Sequence, residues 1–200
     1  VDVGYEKDGF LHYLDLGLYY SSIKRFTKMG ISNSLNNVDL KSLKEPNLGK
    51  NGLITDYVKQ GQLILVQISK EPISTKGPRL SAEISFAGRF LVLVPFSNKI
   101  TISQKIKNTE ERNRLKRLIQ SIRPEGFGII IRTVAEGQSV ADLDNDLRDL
   151  MSKWDELIKK LPKSLPPCKM ISEMDKSSVI IRDMLTEEFT NIYVNDVDMY

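Results

Sequence analysis

The residues best suited to chemistry are an arginine and a threonine at the end of an apolar run. Arg132 and Thr133 directly follow the isoleucines 129–131, and this β-branched segment predicts a strand within residues 125–136. A guanidinium presents a planar fork of N–H donors and a hydroxyl adds another donor, so the pair suits a phosphate group. From these residues alone, an ordinary surface salt bridge of Arg132 is the alternative interpretation.

Two cationic turns interrupt the apolar stretch from Gln62 to Gln104. One turn, Lys70 to Arg79, is polar, contains a glycine and is basic, and the other is the small basic segment 87–89. Three strand-like apolar runs precede, separate and follow the turns. Strands that carry cationic turns indicate an anionic partner, whereas a generic basic hairpin is the simpler interpretation.

Aromatic side chains near the start of the chain could stack on bases. Residues 1–15 alternate apolar and polar side chains around two glycines, which predicts two short antiparallel strands. The candidates for a stacking surface are Tyr5, Phe10, His12 and Tyr13. Rings on the outer face of a sheet beside cations would stack on nucleic-acid bases. The alternative is that Phe10 and Leu11 face the core of a small β-barrel.

The composition excludes several classes of site. With 40% hydrophobic and 28% charged residues the chain is an ordinary globular protein, and its net charge of +3 is only a weak indication of nucleic acid. A single histidine and a single cysteine exclude an internal disulfide bond, a multi-cysteine zinc site and a histidine-rich metal site. We expect the cysteine, Cys168, to be a buried small hydrophobe in a reducing cytoplasm rather than a nucleophile.

The sequence shows neither the pattern of a secretory leader nor that of a membrane helix. There is no basic-then-apolar secretory leader, and no apolar run approaches the roughly 20 residues of a membrane helix. The chain opens with Val1 rather than with methionine. We therefore expect that the chain is trimmed or excised from a longer protein, and we expect no membrane segment within it.

Two amphipathic helices are predicted in the second half of the chain. The first begins after the N-cap Asn108 and ends before Pro124. The second spans residues 139–161, after the N-cap Ser139. Its apolar stripe contains Trp154, which is therefore predicted to pack in the core rather than to stack on a base.

Acidic side chains at helical spacing on the second helix could in principle hold a metal ion. The pairs are Asp142/Asp146 and Asp144/Asp149. They fall on a solvated helix surface, where Arg148 and Lys153 are ordinary ion-pair neighbours. We predict no metal site there.

The remaining segments have weaker patterns. Residues 16–52 are predicted to be an insertion between strands, because they are too long for an ordinary loop. Further predicted elements are strands in residues 62–68, 97–107, 168–173 and 191–196 and a helix over about 175–188.

The start of the chain resembles an S1 domain, a five-stranded OB-type barrel that binds single-stranded RNA. The segment VDVGYEKDGFLH carries the V-D-x-G turn of that family and then its Gly-Phe-x-His pattern, at Gly9, Phe10 and His12. The resemblance implies that Phe10 and His12 stack on RNA. It also implies that one barrel strand precedes Val1.

Residues 66–95 and 128–137 resemble the ribonuclease E/G family. The first segment places Lys76, Gly77 and Leu80 in the family's Lys-Gly loop and Leu-Thr/Ser run, and the second matches its Gly-x-Ile-Ile/Val-Arg-Thr signature. The resemblance implies that Lys76 joins Phe10 and His12 on the RNA track. It also implies a pocket that senses a 5′-monophosphate and is lined by Gly88, Val92, Gln104, Arg132 and Thr133. Gln104 stands where ribonuclease E-like members have arginine.

These resemblances imply an α+β fold. An S1 or OB-type antiparallel β-barrel, incomplete at its N-terminus, would be followed by a mixed α/β 5′-sensor and ribonuclease H-like region. The expected domains are 1–82, the S1-like RNA-binding domain with its inserted loop at 16–52; 83–173, the 5′-sensor region; and 174–200, the start of the ribonuclease H-like subdomain.

The function implied is that of the RNA-binding and 5′-monophosphate-sensing part of an endoribonuclease that cleaves single-stranded RNA in RNA processing and decay. The resemblance places the catalytic residues and their Mg²⁺ in another part of the parent enzyme, which would be a cytoplasmic bacterial homo-oligomer. We expect this chain to hold no catalytic residue, metal or cofactor and to be inactive alone. The alternative is a non-catalytic S1-type RNA-binding module.

Overall fold

The described part of the chain folds into four α-helices and two small sheets, and the predicted α+β class is confirmed. The computed structural model describes residues 1–35, 39–49, 51–185, 188–195 and 197, with only the backbone of Lys176. The helices are α1 (Tyr20–Ile31), α2 (Thr109–Ile122), α3 (Val140–Lys160) and α4 (Lys176–Met184). The strands are β1 (Gln67–Lys70), β2 (Arg79–Ser81), β3 (Phe86–Ala87), β4 (Leu91–Pro95), β5 (Ile100–Ile102) and β6 (Phe127–Ile131). None of the helices among these residues is long and apolar enough to span a membrane.

A four-stranded sheet in the order β3-β4-β6-β5 carries the main core. β4 pairs antiparallel with β3 and β6, whereas β5 runs parallel to β6. Parallel neighbours need a crossover connection, and α2 supplies it between β5 and β6. The predicted N-cap Asn108 is confirmed, because its side chain accepts hydrogen bonds from the amides of Glu110 and Glu111.

Helix α3 packs on the sheet through its predicted apolar stripe. Ser139 and Asp142 form the capping box that starts it. The Trp154 ring stacks on Phe26 with ring centroids 4.9 Å apart and meets Phe127 edge-on at 5.5 Å. Trp154 is buried in the core, as predicted.

The prediction of a patternless insertion over residues 16–52 is wrong for the part that the structure describes. Positions 36–38 and 50 lie outside the described residues. Helix α1 fills much of this segment, and its Tyr20, Ile23 and Phe26 are buried. The spacing of these side chains and Gly30 by three and four residues is helical, and it is the signal that the surrounding Asn, Ser and Lys residues obscured.

The first 82 residues contain no closed barrel within the described part, so the S1 barrel is not confirmed. The two strands predicted in residues 1–15 are absent, apart from one bridge between Phe10 and Arg79. A 3₁₀ helix spans Tyr13–Leu16 instead, because Tyr13 and Leu16 are buried at a spacing of three rather than alternating. Strand β1 starts only at Gln67, because its partner β2 is three residues long.

The C-terminal predictions are only partly right. Helix α4 is confirmed with shorter bounds, but residues 168–173 form no strand, because the carbonyls of Lys169 and Met170 accept hydrogen bonds from Lys160 Nζ. The predicted strand 191–196 is not formed in residues 191–195, which have no partner strand among the described residues, and Asp196 lies outside them. Cys168 is exposed rather than buried, since it follows an exposed loop after α3.

Candidate phosphate site at the edge of the four-stranded sheet

The ends of three strands bring most of the predicted pocket together at one edge of the sheet. Because β5 and β6 are parallel, their carboxyl ends lie side by side, and these ends lead into Ser103 and Arg132. Antiparallel β4 begins at the same edge, since its first residue, Leu91, pairs with Ile131. The turn at Gly88 therefore reaches the edge from which Arg132 projects.

The Arg132 guanidinium is held by carbonyl and carboxylate oxygens. Its Nη1 donates hydrogen bonds to the carbonyls of Gly88 (2.7 Å) and Arg89 (3.0 Å) and to Oδ1 of Asp183 (3.1 Å). Its Nη2 donates to Oδ2 of Asp183 at 2.6 Å. The salt-bridge interpretation of Arg132 is thus confirmed, and the partner is a residue that sequence reasoning did not identify.

Asp183 lies on α4, which packs across the turn between β3 and β4. Arg182 also contacts this carboxylate, through Nε at 2.9 Å, and its Nη1 donates to the carbonyl of Ala87 at 3.2 Å. The hydrogen bond from Arg132 lowers the pKa of Asp183 to about 2, against an opposing effect of burial and with a further contribution from Arg182. Asp183 is therefore ionised throughout the physiological range.

A second carboxylate shapes the turn itself. Asp146, on α3, accepts hydrogen bonds from the backbone amides of Arg89 (2.9 Å), Phe90 (2.9 Å) and Leu91 (2.8 Å). A Cβ at position 88 would lie 2.5 Å from both carboxylate oxygens, so only glycine permits this approach. The sequence predicts that Asp146 lies on a solvated helix surface, and this prediction is wrong. Helical spacing alone does not reveal a contact with a turn that is distant in the sequence.

Thr133 follows Arg132 in the sequence, and its hydroxyl contacts the end of β5. Thr133 Oγ1 and Ser103 Oγ are 2.8 Å apart. Arg112, from α2, donates to the carbonyls of Ser103 (2.7 Å) and Ile106 (3.1 Å). Gln104 is exposed and directly follows Ser103, so it borders the same edge.

Val92 stands slightly apart from the other predicted pocket residues. It lies within β4, opposite Ala87 on one side and Ile130 on the other. Its side chain is half-buried and points away from the core face that carries Leu91 and Leu93. It can contribute an apolar wall but no side-chain hydrogen bond.

The predicted RNA track forms a separate surface near the chain start. Phe10 is 61% exposed, and its ring lies 6.4 Å from that of His12, tilted by 37°. The backbone of Phe10 exchanges hydrogen bonds with the carbonyl of Pro78 and the amide of Leu80, both at 2.8 Å. Lys76, two residues before Pro78, is exposed on the adjoining turn.

Three acidic side chains of α3, Asp142, Asp144 and Asp146, bond to protein groups. Asp142 caps the helix with Ser139, and Asp144 forms an ion pair with Arg148 at 2.5 Å. Across the ranges that the structure describes, no three His, Cys, Asp or Glu side chains come together in an arrangement that could hold a metal ion.

Comparison with known proteins shows which family the chain belongs to. The ribonuclease E/G family matches residues 85–200. Ribonuclease G of Haemophilus influenzae is 33% identical over 195 residues, which cover 98% of this chain and 36% of that protein. Ribonuclease E of Nostoc sp. is 35% identical over 142 residues, covering 71% of this chain and 21% of that protein. The chain belongs to the ribonuclease E/G family.

Two further comparisons set the limits of this assignment. Ribonuclease G of Escherichia coli K12 is 30% identical over 200 residues, and the chain spans 36% of its length. The chain thus spans about a third of the ribonuclease G relatives and about a fifth of the ribonuclease E relatives. A Staphylococcus aureus RNase P protein gives a TM-score of only 0.30 at 23% identity, over 36% of this chain and 75% of that one, which carries no argument about the fold.

Proposed function

We propose that this chain is the RNA-binding and 5′-monophosphate-sensing part of an endoribonuclease that acts on single-stranded RNA in RNA processing and decay. One observation supports the proposal: Arg132 is fixed at the edge of the sheet where β5 and β6 end, and the hydroxyls of Thr133 and Ser103 belong to the same two strand ends. Neither its Nε nor the second hydrogen of Nη2 has a partner among the described residues. Donors that are oriented in advance bind an anion with little further ordering cost.

The second contact would be made by the surface of Phe10, His12 and Lys76. Exposed rings can stack on bases of any sequence, and a neighbouring lysine can contact the RNA backbone. RNA held on this surface would present its 5′ end to the pocket of Gly88, Val92, Gln104, Arg132 and Thr133, which would accept a monophosphate and reject a bulkier triphosphate.

The proposal divides the chain by function into the three parts 1–82, 83–173 and 174–200. The S1-like character of the first part and the ribonuclease H-like character of the third belong to this proposal. So do the cytoplasmic location and the homo-oligomeric parent enzyme with Mg²⁺ at a catalytic site outside these residues.

The exposed Phe10 ring also favours a second candidate, a non-catalytic S1-type RNA-binding module. Such a module would bind single-stranded RNA irrespective of its 5′ end. The two candidates therefore differ in one measurable property, the dependence of affinity on the terminal phosphate.

The test compares RNA oligonucleotides of one sequence that carry a 5′-monophosphate, a 5′-hydroxyl or a 5′-triphosphate. The chain should bind the monophosphate form about tenfold more tightly than the hydroxyl form, since a hydrogen bond to a charged group contributes about 1.5–3 kcal/mol. Arg132→Ala should lower the affinity for 5′-monophosphate RNA to that for 5′-hydroxyl RNA and leave the 5′-hydroxyl affinity unchanged.

Arg148→Ala is the matched control, because it removes the same charge from an exposed ion pair on α3. It should leave the monophosphate-to-hydroxyl ratio as it is. Equal binding of both RNAs by the unsubstituted chain would contradict the sensor assignment and favour the S1-type module.

A further inference from the structure

Asp183 divides the donors of Arg132 between the protein and a ligand. A guanidinium has five N–H groups along its two edges and its end. The carboxylate of Asp183 accepts hydrogen bonds from Nη1 at 3.1 Å and from Nη2 at 2.6 Å, at the end of the guanidinium. The carbonyls of Gly88 and Arg89 also accept from Nη1. The edge formed by Nε and Nη2 has no partner within the described ranges.

We infer that Asp183 is a positioning residue, which holds Arg132 so that its Nε–Nη2 edge receives the 5′-terminal phosphate. The inference rests on the proposed function of the pocket. A carboxylate and a phosphate can bind the same guanidinium at once, because each takes a different pair of donors. Asp183 would fix the direction of the donors before RNA arrives.

The carboxylate is itself rigidly held. Arg182 donates to it at 2.9 Å, and the side chains of Arg132, Arg182 and Asp183 are only 29%, 17% and 23% exposed. Arg182 also reaches the carbonyl of Ala87, which fixes α4 against the turn. A partly buried network of this kind restricts side-chain motion more than an exposed ion pair does.

The charge of the cluster remains favourable for an anion. Asp183 contributes one negative charge, and Arg132 and Arg182 contribute two positive charges, so the three side chains keep a net charge of +1. Arg89, whose Nη2 donates to the carbonyl of Leu185 at 2.6 Å just after α4, adds another cation, and the carboxylate of Asp146 at the same turn offsets it, so the net charge stays at +1. Asp183 thus orients Arg132 without cancelling the attraction of the site for phosphate.

A competing interpretation makes Asp183 a stand-in for the phosphate that must leave before RNA binds. The two interpretations predict opposite effects of Asp183→Asn. An amide has one accepting oxygen instead of two, so asparagine cannot form the two parallel hydrogen bonds to Nη1 and Nη2. If Asp183 positions Arg132, the preference for a 5′-monophosphate should therefore fall. Removal of a competitor would instead raise that preference.

The experiment measures the ratio of the affinity for 5′-monophosphate RNA to the affinity for 5′-hydroxyl RNA with the unsubstituted chain, Asp183→Asn and Asp183→Glu. We expect Asp183→Asn to lower this ratio about tenfold, to near one. Asp183→Glu keeps the charge but alters the bidentate geometry, so the ratio should fall partway. A second readout is the ¹H–¹⁵N signal of Arg132 Nε, which should be sharp in the unsubstituted chain and broadened in Asp183→Asn.

Asp175→Ala controls for a loss of α4 rather than of the carboxylate. Asp175 caps α4 by accepting from the amide and hydroxyl of Ser178, and it does not contact Arg132. This variant should keep the ratio of the unsubstituted chain. An equal loss in Asp175→Ala would overturn the inference, because docking of α4 would then explain the effect.

The other outcomes separate this inference from the proposed function. A monophosphate preference that persists or increases in Asp183→Asn overturns the positioning role while the sensor function stands. Equal binding of both RNAs by the unsubstituted chain removes the sensor function, and the positioning role with it.

Discussion

Arg132 forms one of the two contacts that its sequence context allowed, the salt bridge, and its contact with a phosphate stays a prediction. It forms a salt bridge, and it keeps donors that no described residue uses. The chemistry of one residue therefore could be predicted from the sequence, but its partner could not, because Asp183 lies 51 positions away on another element. Asp146 illustrates the same limit, since its three amide contacts join α3 to a turn more than 50 residues earlier.

Two carboxylates should give the stability of the chain a specific pH dependence. The pKa of Asp183 falls from 3.8 to about 2 through Arg132, and that of Glu111 from 4.5 to about 2 through Arg114. Both folded-state pKa values lie below the unfolded ones, so the stabilisation is complete above about pH 5 and is lost as the pH falls toward about 2.

Urea unfolding between about pH 6 and pH 2 tests this effect. The difference in the free energy of unfolding between the unsubstituted chain and Asp183→Asn should be largest near pH 6 and should shrink toward zero near pH 2, and Glu111→Gln should behave alike. Ile31→Ala, at the exposed end of α1, is the control, because it changes no ionisable group and its effect on the free energy of unfolding should be the same at every pH. A constant difference for Asp183→Asn would contradict the assignment of its charge to the Arg132 contact.

Among the secondary-structure elements, the predictions that rest on local sequence signals, such as helix caps and apolar stripes, agree best with the structure. The caps Asn108 and Ser139, the leucine stripe of α3 and the burial of Trp154 are all confirmed. The barrel and the strands at 1–15, 168–173 and 191–196 depend on pairing with distant segments, which a single sequence does not specify. Lys160, for example, occupies the carbonyls that a strand at 168–173 would need.

Helix α1 gives a direct test of the corrected element. The Phe26 ring stacks on Trp154, and its centroid lies 5.9 Å from the ring centroid of Phe96. Phe26→Ala should therefore lower the free energy of unfolding by about 3–5 kcal/mol. Ile31→Ala, at the exposed end of the same helix, should change it by less than about 0.5 kcal/mol. Thermal or urea unfolding measures both. Equal small effects would mean that this segment behaves as the insertion that its composition suggested.

At the scale of the whole molecule, the chain is expected to bind RNA without cutting it. On α3, Asp142 takes part in the helix cap, Asp144 forms an ion pair, and Asp146 accepts hydrogen bonds from three backbone amides. Purified chain with Mg²⁺ should therefore leave single-stranded RNA intact in a gel assay over hours. Cleavage that persists through repurification, and that disappears when an acid of this chain is substituted, would place the nuclease chemistry within these residues.

The ring of Trp154 links segments from both halves of the chain. It contacts Phe26 of α1 and Phe86 and Phe127 of the sheet, and it is the only tryptophan in the sequence. Its fluorescence is thus a natural optical reporter of whether the N-terminal segment is docked. Removal of α1 would take away the Phe26 ring that stacks on this indole, so a shortened variant that keeps the four-stranded sheet must also keep α1.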